Sequence, residues 1–412
     1  MQAGLIVALY LGDEILSSLM PFSSGSFAVA LVLMLAAQVR IGPATAASIL
    51  ACSVAALLLG TVGALLSRTP VTAFSAASIV LLAALWATAS GLRGKAAALI
   101  TPLAAFVGVM VSAFFLALSM FGLDAYTVLS GNSSSRSAGL FQEPSHLALY
   151  VMPLWLIAFQ RRHWRPWLVA ALFLMVFTHF SSTLVAIALI AVALHTLLGR
   201  SRHDAGRRVV QAVLAALVTA TLPLLMSVDG VPVQEYLGSR LGGLFLTDET
   251  DMYNLSSLVV LQGLELARLS FNDSYGLGVG LGNMGTSLSV LEQSAYRALI
   301  NNLTTGNIDL NLRDGGLLVS KIVGELGVLS LGVALLFWTH LRRLGQLRDD
   351  LSRNYHLSFA ALLLSLVFVR ALPYFAAPTC LAIASLAALR RTPREFQRGS
   401  PAKLPSARTV QG

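Results

Sequence analysis

The sequence predicts an all-α polytopic membrane protein, a bundle of about twelve transmembrane helices with one large loop outside the membrane. Three observations predict it. Of 412 residues, 56% are hydrophobic and only 11% charged, where a soluble domain carries roughly a quarter charged. Mean hydropathy is +0.76. The basic residues behind the net charge of +9 gather in short breaks between apolar runs. That placement describes membrane topology rather than a nucleic-acid surface, so the expected partner is the bilayer and not nucleic acid.

A span takes about 20 apolar residues. That rule places spans near 3–20, 25–39, 44–66, 72–91, 96–120, 146–160, 167–179, 183–199, 209–226, 315–339, 355–371 and 374–389. The first run has no basic flank or small-residue cleavage site and is interrupted by Asp13 and Glu14, so it is expected to be a retained span. The 167–199 stretch is too long for one span and short for two, and charge decides. Arg161, Arg162 and Arg165 precede it and Arg200, Arg202, Arg207 and Arg208 follow it. Both ends therefore belong on the cytoplasmic side, with a turn around His179 on the other. The same rule puts both termini in the cytoplasm.

The resulting division is 1–226 for spans one to nine, 227–314 for the outer loop, 315–390 for spans ten to twelve and 391–412 for a disordered basic cytoplasmic tail. The outer loop holds more than half of the 19 acidic residues, with Tyr236, Tyr253, Tyr275 and Tyr296. Leu288, Leu291, Ala295 and Leu299 recur in it at helical spacing, so it is expected to contain short helices. Carboxylates, aromatic faces and glycine turns suit a sugar ligand; a solvated folded loop is the other reading. The run GLGVGLGNMG at 276–285 follows no strand of a βαβ unit and is not read as a dinucleotide site. Its glycines are expected to permit tight turns and close backbone approach. Cys52 and Cys380 fall inside spans, with no metal-ligand spacing, and neither metal nor cofactor is expected.

Five places carry candidate chemistry. Glu143 and His146 flank Pro144 at the start of a span and can face one cavity as acid or base; an interfacial cap is the other reading of Glu143. Arg136 lies just before them. Arg370 ends the eleventh span, where a guanidinium can hold a diphosphate or snorkel to headgroups. Arg313, Asp314, Lys321 and Glu325 enter the tenth span, and Lys321 and Glu325 can simply pair. His179 can relay a proton or be structural. Asp13 and Glu14, near mid-span, have no evident partner in the sequence and can face the bundle interior.

These residues lie in motifs that resemble the superfamily of O-antigen ligases and Wzy-type polysaccharide polymerases. The matching segments are RSAGLFQEPSH at 136–146, GLGVGLGN at 276–283, GELGVLSLG at 324–332 and RALPYF at 370–375. The last is similar to the arginine segment of the polymerase branch. The resemblance implies a GT-C-type, metal-independent glycosyltransferase of the bacterial inner membrane, of the hexosyltransferase kind. Its substrate would be an undecaprenyl-diphosphate-linked oligosaccharide at the periplasmic face. It implies diphosphate binding by Arg136, Arg313 or Arg370, with Lys321 beside them. Glu143, His146 or Asp314 would then be the acceptor's base, with His179 and Tyr374 as further candidates. The segments THFSST at 178–183 and LRDGGLL at 312–318 depart from the ligase pattern and favour a polymerase, which would make a Wzz-like chain-length regulator a partner. The alternatives are a ligase acting on lipid A core and a lipid-linked oligosaccharide flippase. A transporter would be expected to show internal repeats, and none is apparent.

Overall fold

The computed structural model describes residues 2–19, 26–39, 42–69, 73–92, 99–131, 137–178, 181–198, 255–286, 288–303, 316–347 and 350–389. Among them the chain is mostly helical, with no strand and one isolated bridge between Ala138 and Phe141. The first half runs α1 (Gln2–Leu19), α2 (Ser26–Ala36), α3 (Pro43–Leu66), α4 (Ala73–Ser90), α5 (Pro102–Met120), α6 (Ala125–Ser130), α7 (Pro144–Ala158), α8 (Arg165–Thr178) and α9 (Ser182–Leu198). The second half runs α10 (Leu255–Asp273), α11 (Leu288–Gln293), α12 (Ala295–Leu303), α13 (Leu318–Leu326), α14 (Leu329–Leu344), α15 (Asp350–Phe368) and α16 (Ala377–Ala388). Among the described residues, Gln2–Leu19, Ala46–Leu66 and Pro102–Met120 are long and apolar enough to cross a membrane. The expected span near 209–226 and the tail lie outside the described residues.

Helix starts follow local chemistry. Proline opens α3, α5 and α7 at a position whose N–H has no intrahelical partner. Thr101 adds a side-chain cap on the Ala104 amide at 3.2 Å. In α7 every residue from Leu147 to Ala158 is buried. A helix apolar on all sides has to sit inside a bundle, and α7 packs against α5, α9 and α15. Pro153 inside it leaves the Leu149 carbonyl without its intrahelical donor, and the Tyr10 hydroxyl of α1 reaches that carbonyl at 3.5 Å. Trp155, fully buried, donates to the Leu168 carbonyl of α8 at 2.8 Å.

Two expectations are corrected. The tenth span, expected as one helix over 315–339, is two helices: α13 ends at Gly327, whose φ is +54°, and α14 begins at Leu329. The cause is the glycine run. Val279 and Gly280 donate to the Gly324 and Glu325 carbonyls at the end of α13, and Val328 donates back to Gly276. Those bonds take up carbonyls that a continuing helix would have used. The segment 227–314, expected to carry short helices only, contains the 19-residue α10, which packs along α13. The helical spacing over 288–299 is interrupted at Ser294 because Glu265 of α10 accepts there from the Ser294 hydroxyl at 2.5 Å and from the Ala295 and Tyr296 amides at 3.3 Å, capping α12.

Candidate functional site

The starts of α7 and α16, the end of α15 and the middle of α1 meet, and each delivers polar side chains to one place. Pro144 fixes the first turn of α7, so Glu143 stands at its N-cap and His146 one turn in. The Glu143 side chain makes no cap bond; its Oε2 accepts instead from the Arg370 guanidinium at 3.0 Å and from the Ser145 hydroxyl at 3.1 Å. The ion-pair reading thereby displaces the cap reading. Arg370 leaves α15 in a turn in which its own amide and that of Val369 both donate to the Ser365 carbonyl. Glu143 and Arg370 remain 36% and 20% exposed, so the pair opens to the outside of the bundle. A guanidinium has five donors, and one bond to Glu143 leaves others for a ligand.

His146 contacts Glu14 of α1, with Nδ1 2.6 Å from Oε1. The other Glu14 oxygen accepts from the Gln142 amide at 2.9 Å. Glu14 is thus held at both oxygens by the segment that carries His146, and it fixes Nδ1. The ring's Nε2 is then the nitrogen left to meet a substrate. Glu143 and Arg370 both act electrostatically on this ring, which places all four groups in one neighbourhood. Asp13, the preceding residue, points into the bundle. Its Oδ2 accepts from the Tyr150 hydroxyl and from the Ala377 amide, each at 2.8 Å, and so caps α16 from another helix. Asp13 and Glu14, without an evident partner in the sequence, obtain partners from residues more than a hundred positions away.

A second polar group lies under the glycine run. Lys321, Glu325 and Tyr374 are all buried. The Lys321 ammonium lies 4.6 Å from the Tyr374 ring centroid, and Lys321 is the cation acting on Glu325. The Gly282 and Met284 amides and the Tyr374 hydroxyl are directed at the Glu325 carboxyl. Lys321 and Glu325 are therefore neighbours in charge, as their spacing suggests, and Tyr374 completes the cluster. The motifs at 276–283 and 324–332 thus pack directly on each other. They also pack on α3, because a Cβ on Gly63 would lie 1.8 Å from the Gly278 carbonyl oxygen.

The structure brings Glu143, His146 and Arg370 together and sets Lys321 and Tyr374 in the neighbouring buried cluster. Arg136, His179, Arg313 and Asp314 lie outside the described residues. Glu14, Asp13 and Tyr150 were not among the expected chemical residues. The signal for the first two was present, as adjacent carboxylates inside an apolar helix; Tyr150 gave none. Among the described residues no group of three or more His, Cys, Asp or Glu side chains is placed to hold a metal ion. No protein-family model matches the chain, and no match is found among the curated proteins or the solved structures.

Proposed function

We propose that the chain is a membrane glycosyltransferase of polymerase type. It moves a glycan from a polyprenyl-diphosphate carrier onto a sugar hydroxyl of another lipid-linked repeat unit. The topology that accompanies this reading is twelve spans with both termini cytoplasmic and the reaction on the periplasmic side. The observation that carries it is the meeting of Arg370, Glu143, His146 and Glu14 at one open end of α7. A diphosphate leaves readily, so such an enzyme has two tasks: to neutralise the charge that grows on the leaving diphosphate, and to take a proton from the acceptor hydroxyl.

Arg370 fits the first task, with donors beyond the one committed to Glu143. His146, with Nδ1 held by Glu14, fits the second through Nε2. The acceptor oxygen forms a bond to the anomeric carbon as the bond from that carbon to the diphosphate breaks. The acceptor proton passes to His146, and the electron pair of the broken bond leaves with the diphosphate. Sequence resemblance supports the lipid-linked substrate class, since Glu143, His146 and Arg370 all lie in the segments that carry it.

The test is a reconstitution assay with purified protein and lipid-linked repeat units, read as a ladder of polymer lengths. Arg370→Ala and His146→Ala are each expected to lower the rate by about 10²-fold or more while the protein still accumulates in the membrane. Ladders of normal length and rate from both variants would refute the site. Transfer only to lipid A core would turn the reading toward a ligase.

A further inference from the structure

The other end of α16, roughly 15 Å along the helix from the Asp13 cap, borders an open recess of about 220 Å³ between α4, α14 and α16. Trp86, Leu336 and Leu386 supply its apolar wall, and Thr339, His340 and Arg343 its polar groups. His340 is only 4% exposed. Its ring donates to the Leu386 carbonyl, while Nδ1 is buried with no partner. A neutral imidazole that donates from one nitrogen accepts at the other. Leaving a buried acceptor unmet is costly, so this position calls for a donor. The Thr339 hydroxyl donates to the Leu336 carbonyl at 2.8 Å, which leaves its oxygen as a second acceptor.

Arg343 acts electrostatically on His340, so a cation stands beside these acceptors. A ligand meeting both needs must carry negative oxygens and, a few bonds away, an O–H. The surroundings indicate where it comes from. Trp338 is 53% exposed with the Arg342 guanidinium 5.1 Å from its ring centroid, and Trp86 lies at the rim. Tryptophan and arginine at a helix end mark the headgroup level of a bilayer. The segment RRLGQLRDD that follows is read as cytoplasmic, the leaflet in which a basic pocket between helices meets anionic headgroups.

We propose that this recess binds the headgroup of an anionic phospholipid of the phosphatidylglycerol type. Arg343 engages the phosphodiester, and His340 Nδ1 and the Thr339 oxygen accept from the headgroup hydroxyls. The site is separate from the candidate active site, and its occupancy does not depend on the glycosyl-transfer reading.

The full-length protein in a neutral detergent is titrated with dioctanoyl-phosphatidylglycerol while its thermal unfolding midpoint is followed. Dioctanoyl-phosphatidylcholine and inorganic phosphate serve as parallel probes. A saturable rise is expected with phosphatidylglycerol and not with the other two. Arg343→Gln, a half-exposed position that tolerates the change, is expected to weaken the response by about fivefold, the worth of one basic residue at an anionic headgroup. Arg342→Gln, stacked on Trp338 outside the recess, should leave it unchanged. His340→Phe should weaken it as well; if that variant does not fold, the two arginine variants decide. Equal losses from Arg342→Gln and Arg343→Gln would mean diffuse surface attraction and overturn the proposal. So would an equal response to phosphatidylcholine. A matching response to inorganic phosphate would reassign the recess to free anions and also overturn it.

Discussion

Glu14 occupies a position that an apolar helix would ordinarily fill with leucine, and its carboxyl is held by the Gln142 amide and the His146 ring. An imidazole that abstracts a proton needs one nitrogen anchored so that the other is an acceptor, and a carboxylate on the anchored side also stabilises the imidazolium that forms. Glu14→Gln keeps the size and can still bond the amide, but it loses the charge beside the ring. The expected outcome is a fall in kcat of about tenfold or more with little change in KM. Thermal unfolding should stay close to that of the parent protein. If KM rises and kcat is untouched, Glu14 is a binding or structural residue and the acid–base role given to His146 fails with it. Asp13 beside it has a different task. Buried and bonded to Tyr150 and Ala377, it ties α1 to α7 and α16 and so holds Glu14 at its height in the bundle.

The glycine run, α13 and α3 form one unit in which backbone meets backbone. Gly278 has a φ of +80°, a region that L side chains rarely enter, and its carbonyl oxygen lies where a Cβ on Gly63 would stand. Gly63→Leu should push the glycine run off α3 and lower stability by about 1–3 kcal/mol, the usual cost of overpacking. The measurement is the unfolding midpoint in detergent, with Gly4→Leu, where no atom stands near a Cβ, as control. Equal midpoints for the two variants would mean that α3 and the glycine run do not pack tightly. The sequence made the close approach legible, because four glycines at alternate positions from 276 to 282 have little other use. It did not make α10 legible. That helix mixes Gln262, Glu265 and Arg268 with its leucines, so hydropathy reads it as loop, while its apolar side is settled only by packing on α13. The break at Gly327 was equally hidden, since its cause is hydrogen bonding from residues some fifty positions earlier.

Across the whole molecule, buried and exposed apolar residues divide by helix rather than by depth beneath a polar coat. The central helix α7 is enclosed, while Leu50, Leu58 and Leu65 of α3, Leu103 and Phe114 of α5, and Leu331 and Leu335 of α14 are each about half exposed or more. Water would not tolerate so much contiguous apolar surface on a single soluble chain; acyl chains would. That is the physical content of the composition from which the fold class was read. The pairing of α1 with α7 and α16 could not be read the same way, because helices that are apolar all round do not state which neighbour they face. The tryptophans offer a direct measure of the partition. Trp155 is fully buried, whereas Trp167 is 64% exposed. In liposomes of brominated lipid, a variant retaining Trp167 alone should be strongly quenched, and one retaining Trp155 alone should keep most of its emission. Quenching of both to the same extent would mean that lipid reaches α7 and that the enclosed bundle is wrong. Quenching of neither would mean that the exposed apolar face meets something other than a bilayer.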